Sequence, residues 1–86
     1  MEIKFSQQAV KDIRFWKNND QSKIDKIYSL ISNIQETPFS GIGKPEALKG
    51  NLSGYWSRRI DKEHRLIYSY QDNQLTIISA RYHYNK

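Results

Sequence analysis

The chain has 86 residues, enough for one compact domain spanning residues 1–86 and too few for two. It contains no cysteine, which excludes disulfide bonds and thiolate metal sites and is typical of proteins in a reducing compartment. No apolar run approaches the roughly 20 residues that a membrane-spanning helix needs, and no basic-then-apolar leader is present. We therefore expect a soluble, cytoplasmic protein with no membrane partner.

Positive charge is concentrated in the second half of the chain. Residues 1–43 carry six basic and five acidic side chains, whereas residues 44–86 carry eight basic and four acidic ones, with both histidines, His64 and His83. The aromatic residues of this half are Tyr55, Trp56, Tyr68, Tyr70, Tyr82 and Tyr84. Arginine and tyrosine together are suited to binding unstacked RNA. The positive charge alone has two equally good explanations, a polyanionic partner or a basic surface that maintains solubility.

The first elements in chain order are a short strand and a helix. The segment "EIKFS" alternates, which predicts a strand with Ile3 and Phe5 facing inward. Ser6 is a suitable N-cap for a helix that extends to about Lys17. The apolar stripe of this helix comprises Ala9, Ile13 and Trp16.

A second helix is predicted from about Gln21. Asp20 can cap its start, and Thr37 ends it because a residue that precedes proline disfavours helical angles. Its apolar stripe comprises Ile24, Ile27, Tyr28, Ile31 and Ile34. The spacing is that of a helix face packed on a core, so we assign it no chemistry.

Residues 38–54 contain all four glycines and both prolines of the chain and show no periodicity. A segment of this length without regular structure is often functional. Within it, "PEALK" could form one helical turn that places Glu46 and Lys49 on the same face.

The remaining residues predict three antiparallel strands joined by the hairpin connections "DKEH" and "QDNQ". These strands are Tyr55–Ile60, Arg65–Tyr70 and Leu75–Tyr84. The predicted fold class is α+β. Two N-terminal helices pack on one face of a twisted antiparallel sheet, which comprises the short N-terminal strand and the three-stranded C-terminal meander and leaves its other face available.

The residues that could carry chemistry are a glutamate in the long loop, several arginines and a histidine beside tyrosines. No phosphate-binding glycine loop, nucleophile elbow or metal-ligand cluster is present. A carboxylate base, a guanidinium and an imidazole acid are sufficient to cleave RNA without a metal. The same residue types also occur in many binding proteins, so both interpretations stay open at this level.

Four motifs in the second half resemble one known family. They read G-x-G-K-P-E-x-L-K, N-L-S-G-x-W-S-R-R-I, E-H-R-L-x-Y and R-Y-H-Y, in that order and with short gaps. They are similar to the YoeB-type mRNA interferase toxins (Txe/YoeB family, RelE superfamily) of type II toxin–antitoxin systems. The resemblance covers essentially the whole chain, and four linked motifs make it specific.

This resemblance implies a microbial-ribonuclease-like fold and a ribosome-dependent endoribonuclease that cuts mRNA in the ribosomal A site. The expected products are a 2′,3′-cyclic or 3′-phosphate and a 5′-hydroxyl, formed without metal or cofactor. By the matching motifs, Glu46 is the expected general base, Arg65 stabilises the charged phosphorane, and His83 is the general acid. The residues expected to hold phosphate or base are Lys49, Arg59 and Tyr84.

The partners that the resemblance implies are mRNA and ribosomal RNA at the A site, and a cognate YefM/Phd-type antitoxin. Operator DNA is expected to be bound only through the antitoxin complex, and a homodimer is compatible with the family. Two rival hypotheses are a non-catalytic inhibitor, as in gyrase-poisoning relatives, and a plain basic RNA-binding module. The presence of the Glu, Arg, His and Tyr set together disfavours the gyrase-type inhibitor. The binding module predicts that His83→Ala hardly matters.

Strand parity sets a condition on this site. Regular, even-length hairpins would place Arg65 opposite Ala80, on the face away from His83, and the same problem affects Arg59 against Arg65. We therefore expect an odd-length loop or a bulge, with Asn73 in a left-handed conformation. For His64, Arg58 and Arg81 no chemistry is assigned, the two arginines being expected on a solvated basic surface or against ribosomal RNA. Trp56 and Tyr68 are expected in the core.

Overall fold

The computed structural model describes residues 2–81. Its elements in chain order are β1 (Glu2–Phe5), α1 (Gln7–Asn19), α2 (Gln21–Glu36), β2 (Glu46–Ala47), a 3₁₀ turn (Gly50–Leu52), β3 (Trp56–Arg59), β4 (Arg65–Gln71) and β5 (Gln74–Ser79). The predicted α+β class is confirmed, with one more strand than expected. Within these residues neither helix is both long and apolar enough to cross a bilayer.

Both helices begin at the residues that the sequence predicts. The Ser6 side chain accepts a hydrogen bond from the Ala9 amide at 3.0 Å and caps α1. Asp20 separates the helices, because its N–H bonds to the carbonyl of Trp16 while its carboxylate accepts from the Ser22 amide. Thr37 is the C-cap of α2, directly before a proline. Local cap chemistry therefore fixes both ends of α2 and the start of α1.

The five strands form one sheet in the order β1-β5-β4-β3-β2. The three pairs β2–β3, β3–β4 and β4–β5 are antiparallel, whereas β1 and β5 are parallel, so the sheet is mixed rather than purely antiparallel as predicted. The parallel partners β1 and β5 are separated in the chain by both helices and by β2, β3 and β4, so no short hairpin could join them. Both helices supply side chains to one core cluster with the sheet.

Two of the residues predicted to face the core are exposed. Phe5 and Tyr28 are 43% and 57% exposed, whereas Leu30, which was not assigned to the stripe of α2, is completely buried. The buried face of α2 is centred on Ile27, Leu30 and Ile34, and Tyr28 lies on its flank. Phe5 belongs to β1, which is an edge strand of the sheet formed by residues 2–81.

Candidate active site

The segment that carries Glu46 is a strand and not the predicted helical turn. Glu46 pairs with Ser57 and Ala47 with Trp56, so that β2 lies along the edge of β3. An isolated helical turn gains one hydrogen bond for several fixed residues, whereas the free edge of β3 offers bonding groups that are already in place. Glu46 is therefore part of an edge strand of the sheet.

Glu46 and Arg65 form an ion pair on the sheet face opposite the helices. Arg65 Nη1 lies 3.6 Å from Glu46 Oε1 and 3.5 Å from the hydroxyl of Ser57. The Arg65 side chain is only 15% exposed, but that of Glu46 is 60% exposed. The guanidinium is therefore held close to the sheet, with the carboxylate on its solvent side. Within residues 2–81, the buried Nε of Arg65 has no hydrogen-bond partner.

Arg59 lies directly opposite Arg65 in the β3–β4 register. Residues that face each other across an antiparallel pair project from the same side of the sheet, so both guanidinium groups belong to the face that carries Glu46. The five residues between these arginines form an odd-length connection, as predicted from strand parity. Lys49 is exposed beside the 3₁₀ turn. No hydrogen bond or ion pair joins it to the other site residues in the described part of the chain.

The predicted bulge occurs in the β4–β5 pair. Tyr68 faces Ile77, but the preceding residue of β4, Ile67, faces Ser79, so one residue of β5, Ile78, is extra. The turn between these strands has Asn73 at φ 62°, in the left-handed conformation expected from the sequence. From this bulge toward Arg65, the pairing of β5 with β4 is offset by one residue from the pairing near the turn. The predicted bulge is therefore confirmed, whereas a shared face for Arg65 and His83 stays a prediction because His83 lies outside the described residues.

Strand β5 ends at Ser79, earlier than the predicted end at Tyr84. Ala80 directs its hydrogen bonds to α1 instead of the sheet: its N–H donates to Asp12 Oδ2 and its carbonyl accepts from Trp16 Nε1, both at 2.8 Å. His83 and Tyr84 lie outside the described residues. Their assignments as general acid and as base- or phosphate-holding residue therefore stay predictions.

The comparison with known proteins identifies the family of the chain. Residues 5–84 match the family model described as "YoeB-like toxin of bacterial type II toxin-antitoxin system". The chain belongs to this toxin family. It is similar to the toxin RelK of Mycobacterium tuberculosis (strain ATCC 25618 / H37Rv), with 54% identity over 82 residues that cover 95% of this chain and 96% of the relative.

Solved structures of YoeB toxins share the fold over nearly their full length. A YoeB/ParE toxin from Agrobacterium tumefaciens aligns with a TM-score of 0.95 and 43% identity, covering 98% of this chain and 100% of that one. The YoeB of Staphylococcus aureus in its heterotetrameric complex with YefM aligns with a TM-score of 0.90 and 47% identity, covering 98% of both chains. The same S. aureus toxin is also known as a dimer, with a TM-score of 0.91.

Arg58 is buried, which contradicts its predicted place on a solvated surface or against ribosomal RNA. Its side chain is completely inaccessible and points toward α2, because Arg58 and Arg59 alternate across β3. The guanidinium donates five hydrogen bonds, to the side chains of Tyr68 and Asn33 and to loop carbonyls. Those carbonyls belong to Thr37, Ser40 and Ile42. Arg58 thus ties the loop that leads to Glu46 to the helix and the sheet.

Tyr68 is part of the core, as predicted. Its hydroxyl donates to the carbonyl of Pro38 at 2.8 Å and accepts from Arg58 Nε at 3.1 Å. Burial raises the pKa of this hydroxyl, although the hydrogen bond and charge of Arg58 act in the opposite direction. Trp56 is partly buried and packs against the core, with its ring 4.8 Å from that of Phe39.

Two further residues assigned no chemistry are packed rather than solvated. His64 is buried, and its ring makes an edge contact with Trp16 at 4.8 Å. Arg81 is half-buried, with its guanidinium 3.4 Å from the centroid of the Phe15 ring. Arg81 is therefore not fully solvated, because the ring of an α1 residue lies against its guanidinium, and its alternative assignment against ribosomal RNA stays a prediction.

Ser57 is a site residue that the sequence analysis did not identify. It is completely buried, and its hydroxyl accepts the hydrogen bond from Arg65. The sequence does indicate its position, because side chains alternate along a strand and Ser57 therefore lies on the same face as Arg59 and not on that of Arg58. No group of metal-ligating side chains occurs among residues 2–81.

Proposed function

We propose that this chain is a ribosome-dependent mRNA endoribonuclease that cleaves mRNA in the ribosomal A site by general acid/base catalysis. The observation that carries the proposal is the Glu46–Arg65 pair, a solvent-facing carboxylate held 3.6 Å from a guanidinium on the open face of the sheet. A base and a phosphate-binding cation at this spacing can contact the same phosphodiester linkage.

In this mechanism the Glu46 carboxylate takes the proton of the ribose 2′-hydroxyl, and the oxygen attacks the adjacent phosphorus. The Arg65 guanidinium donates hydrogen bonds to the phosphate oxygens as negative charge builds on the phosphorane. The bond from phosphorus to the 5′-oxygen breaks, and the leaving oxygen takes a proton from His83. The products are a 2′,3′-cyclic phosphate and a 5′-hydroxyl.

The opposed arginines support an anionic ligand at this face. Like charges directly across a strand pair are destabilising, and Arg59 and Arg65 occupy such a pair. A bound phosphate relieves the repulsion because each guanidinium gains hydrogen bonds to its oxygens. By the family motifs, Lys49 and Tyr84 complete the set of groups that hold phosphate or base.

The proposed partners are the mRNA and ribosomal RNA of the A site, and a YefM-type antitoxin that covers the basic face. The S. aureus relative forms complexes with YefM, which supports this assignment. Operator DNA is then bound through the antitoxin complex, and the toxin acts in the cytoplasm. A homodimer is consistent with the dimer of the same relative.

The test is cleavage of a message on translating ribosomes, with the cut sites mapped by primer extension. The variants are Glu46→Ala, Arg65→Ala and His83→Ala. The matched controls are Glu63→Ala and Arg14→Ala, which remove an exposed carboxylate and an exposed guanidinium elsewhere on the surface. The same message without ribosomes shows whether cleavage depends on them.

We expect A-site cuts with the native chain and both controls, and a loss of at least about 100-fold in rate for each site variant, the usual effect of a general acid or base. Arrest of translation with an intact message would refute the nuclease. Cleavage that persists undiminished in His83→Ala would remove the general acid from the mechanism.

A further inference from the structure

A second concentration of positive charge adjoins the Glu46–Arg65 pair. A cavity of about 320 Å³ opens between α2, the turn at residues 43–44 and the β3–β4 connection. We call it the basic pocket, after its four cationic residues, Lys26, Lys44, Arg59 and Lys62. The other residues that line it are Gly43, Ile60 and Asp61.

The charge of the basic pocket is not balanced from within the described chain. None of its four cations forms an ion pair with an acidic side chain of residues 2–81. The carboxylate of Asp61 is already engaged, since it pairs with Lys23 at 2.9 Å and accepts from the amides of Glu63 and His64 at 2.8 and 2.7 Å. Four basic residues thus line one cavity without an ion-paired carboxylate in the described part of the chain, which is an arrangement suited to an anionic ligand.

The walls of the basic pocket are fixed by backbone contacts. The carbonyl of Gly43 accepts the Arg59 amide at 2.7 Å, which anchors the turn to β3. Gly43 has φ 82°, and a Cβ built there would lie 2.7 Å from Leu30 Cδ2, so the turn packs directly on α2. Lys44 follows with φ 52°. The cavity is therefore formed before any ligand arrives, which lowers the entropic cost of binding.

Two residues that line this pocket connect it to the proposed cleavage site. Arg59 faces Arg65 directly, and Lys44 precedes Glu46 by two residues in the chain. We propose that the basic pocket binds a backbone phosphate of RNA that flanks the scissile one. This inference rests on the proposed function for the identity of the ligand as RNA. The phosphate belongs either to the message or to ribosomal RNA, and the two sources can be separated by experiment.

The experiment measures binding rather than cleavage. The pocket variant carries Lys26→Gln, Lys44→Gln and Lys62→Gln. The control carries Lys4→Gln, Lys11→Gln and Lys17→Gln, three exposed lysines of β1 and α1, so that both variants lose the same net charge. One probe is a single-stranded RNA with a 2′-O-methyl group at the scissile nucleotide, which blocks attack. The other is a ribosome with a vacant A site that carries only a short message ending at the P-site codon. Affinity is measured over a series of salt concentrations.

We expect the pocket variant to bind on the order of tenfold more weakly than the control. Its slope of log affinity against log salt should be smaller by at least about 0.7, the contribution of one phosphate contact on a single strand. A loss with the oligonucleotide assigns the phosphate to the message, and a loss with the vacant ribosome alone assigns it to ribosomal RNA. Equal affinity and slope for both variants on both probes would overturn the inference. A native chain that binds but does not cleave would refute the proposed function and leave this comparison valid.

Discussion

Removal of the buried Arg58 side chain should destabilise the toxin far more than removal of its neighbour Arg59. In Arg58→Met the methionine fills most of the volume but cannot donate any of the five hydrogen bonds of the guanidinium. In Arg59→Met the same chemical change occurs at the next residue of the same strand, but the side chain is exposed. The pair therefore separates the effect of burial from that of charge.

The expected loss of unfolding free energy in Arg58→Met depends on how many of these hydrogen bonds water can replace. Hydrogen bonds to a charged group contribute about 1.5–3 kcal/mol each, so five would give roughly 10 kcal/mol. The variant avoids the several kcal/mol that desolvation of the guanidinium costs, and water replaces the donor at the loop carbonyls. The Tyr68 and Asn33 oxygens are less accessible and cost about 1–3 kcal/mol each when left unmet. We expect a net loss of about 3–5 kcal/mol from a stability of about 5–15 kcal/mol.

Urea and thermal unfolding of both variants test this estimate. Arg58→Met should lower the melting temperature by at least about 12 °C, whereas Arg59→Met should shift it by no more than a few degrees. Hydrogen exchange adds a local measure, because the Ile42 amide, which donates to the Asn33 side chain, should exchange faster in Arg58→Met. Equal stability of the two variants would show that the guanidinium network contributes nothing to holding the loop.

Three further predictions concern single contacts. Asp12→Ala should cost about 1–3 kcal/mol of unfolding free energy, because the buried Ala80 amide loses its acceptor, and Asp12→Asn should recover most of this; equal losses would exclude the hydrogen bond as the cause. Burial raises the pKa of Asp61, but the hydrogen bond from Lys23 and two backbone amides outweigh it and lower the pKa below 3.8. Its contribution to stability is therefore present at neutral pH and lost as the pH falls below about 4, so Asp61→Asn should be less stable at pH 7 and show a shallower decline in acid denaturation. Gly43→Ala should lower the melting temperature, because φ there is 82° and a Cβ would lie 2.7 Å from a side-chain carbon of α2.

The elements that depend on local chemistry could be predicted from the sequence. The caps at Ser6 and Asp20 act within three residues of the chain, and both helices begin where those residues indicate. The left-handed Asn73 is likewise a property of a short turn. Periodicity was less informative about Tyr28, because an apolar position on the flank of a stripe is buried only if a neighbouring element covers it.

The errors concern residues whose environment is set by distant parts of the chain. Arg58 and Arg59 are adjacent residues of the same type, and only the register between β3 and β4 decides which of them faces α2. The strand at Glu46 is two residues long and exists because β3 leaves an edge free, which no local pattern records. The Glu46–Arg65 pair was predictable because the family motifs link these positions, although neither their distance nor the role of Ser57 could be read from them.

The parallel pairing of β1 with β5 limits how early in folding the sheet can be completed. Glu2 lies beside Gln74, so the first strand has no partner until nearly the entire chain has been synthesised. Contacts of such large sequence separation form late and slow folding. The sheet that carries Glu46 and Arg65 is therefore completed only when β5, among the last segments to be made, takes its place between β1 and β4.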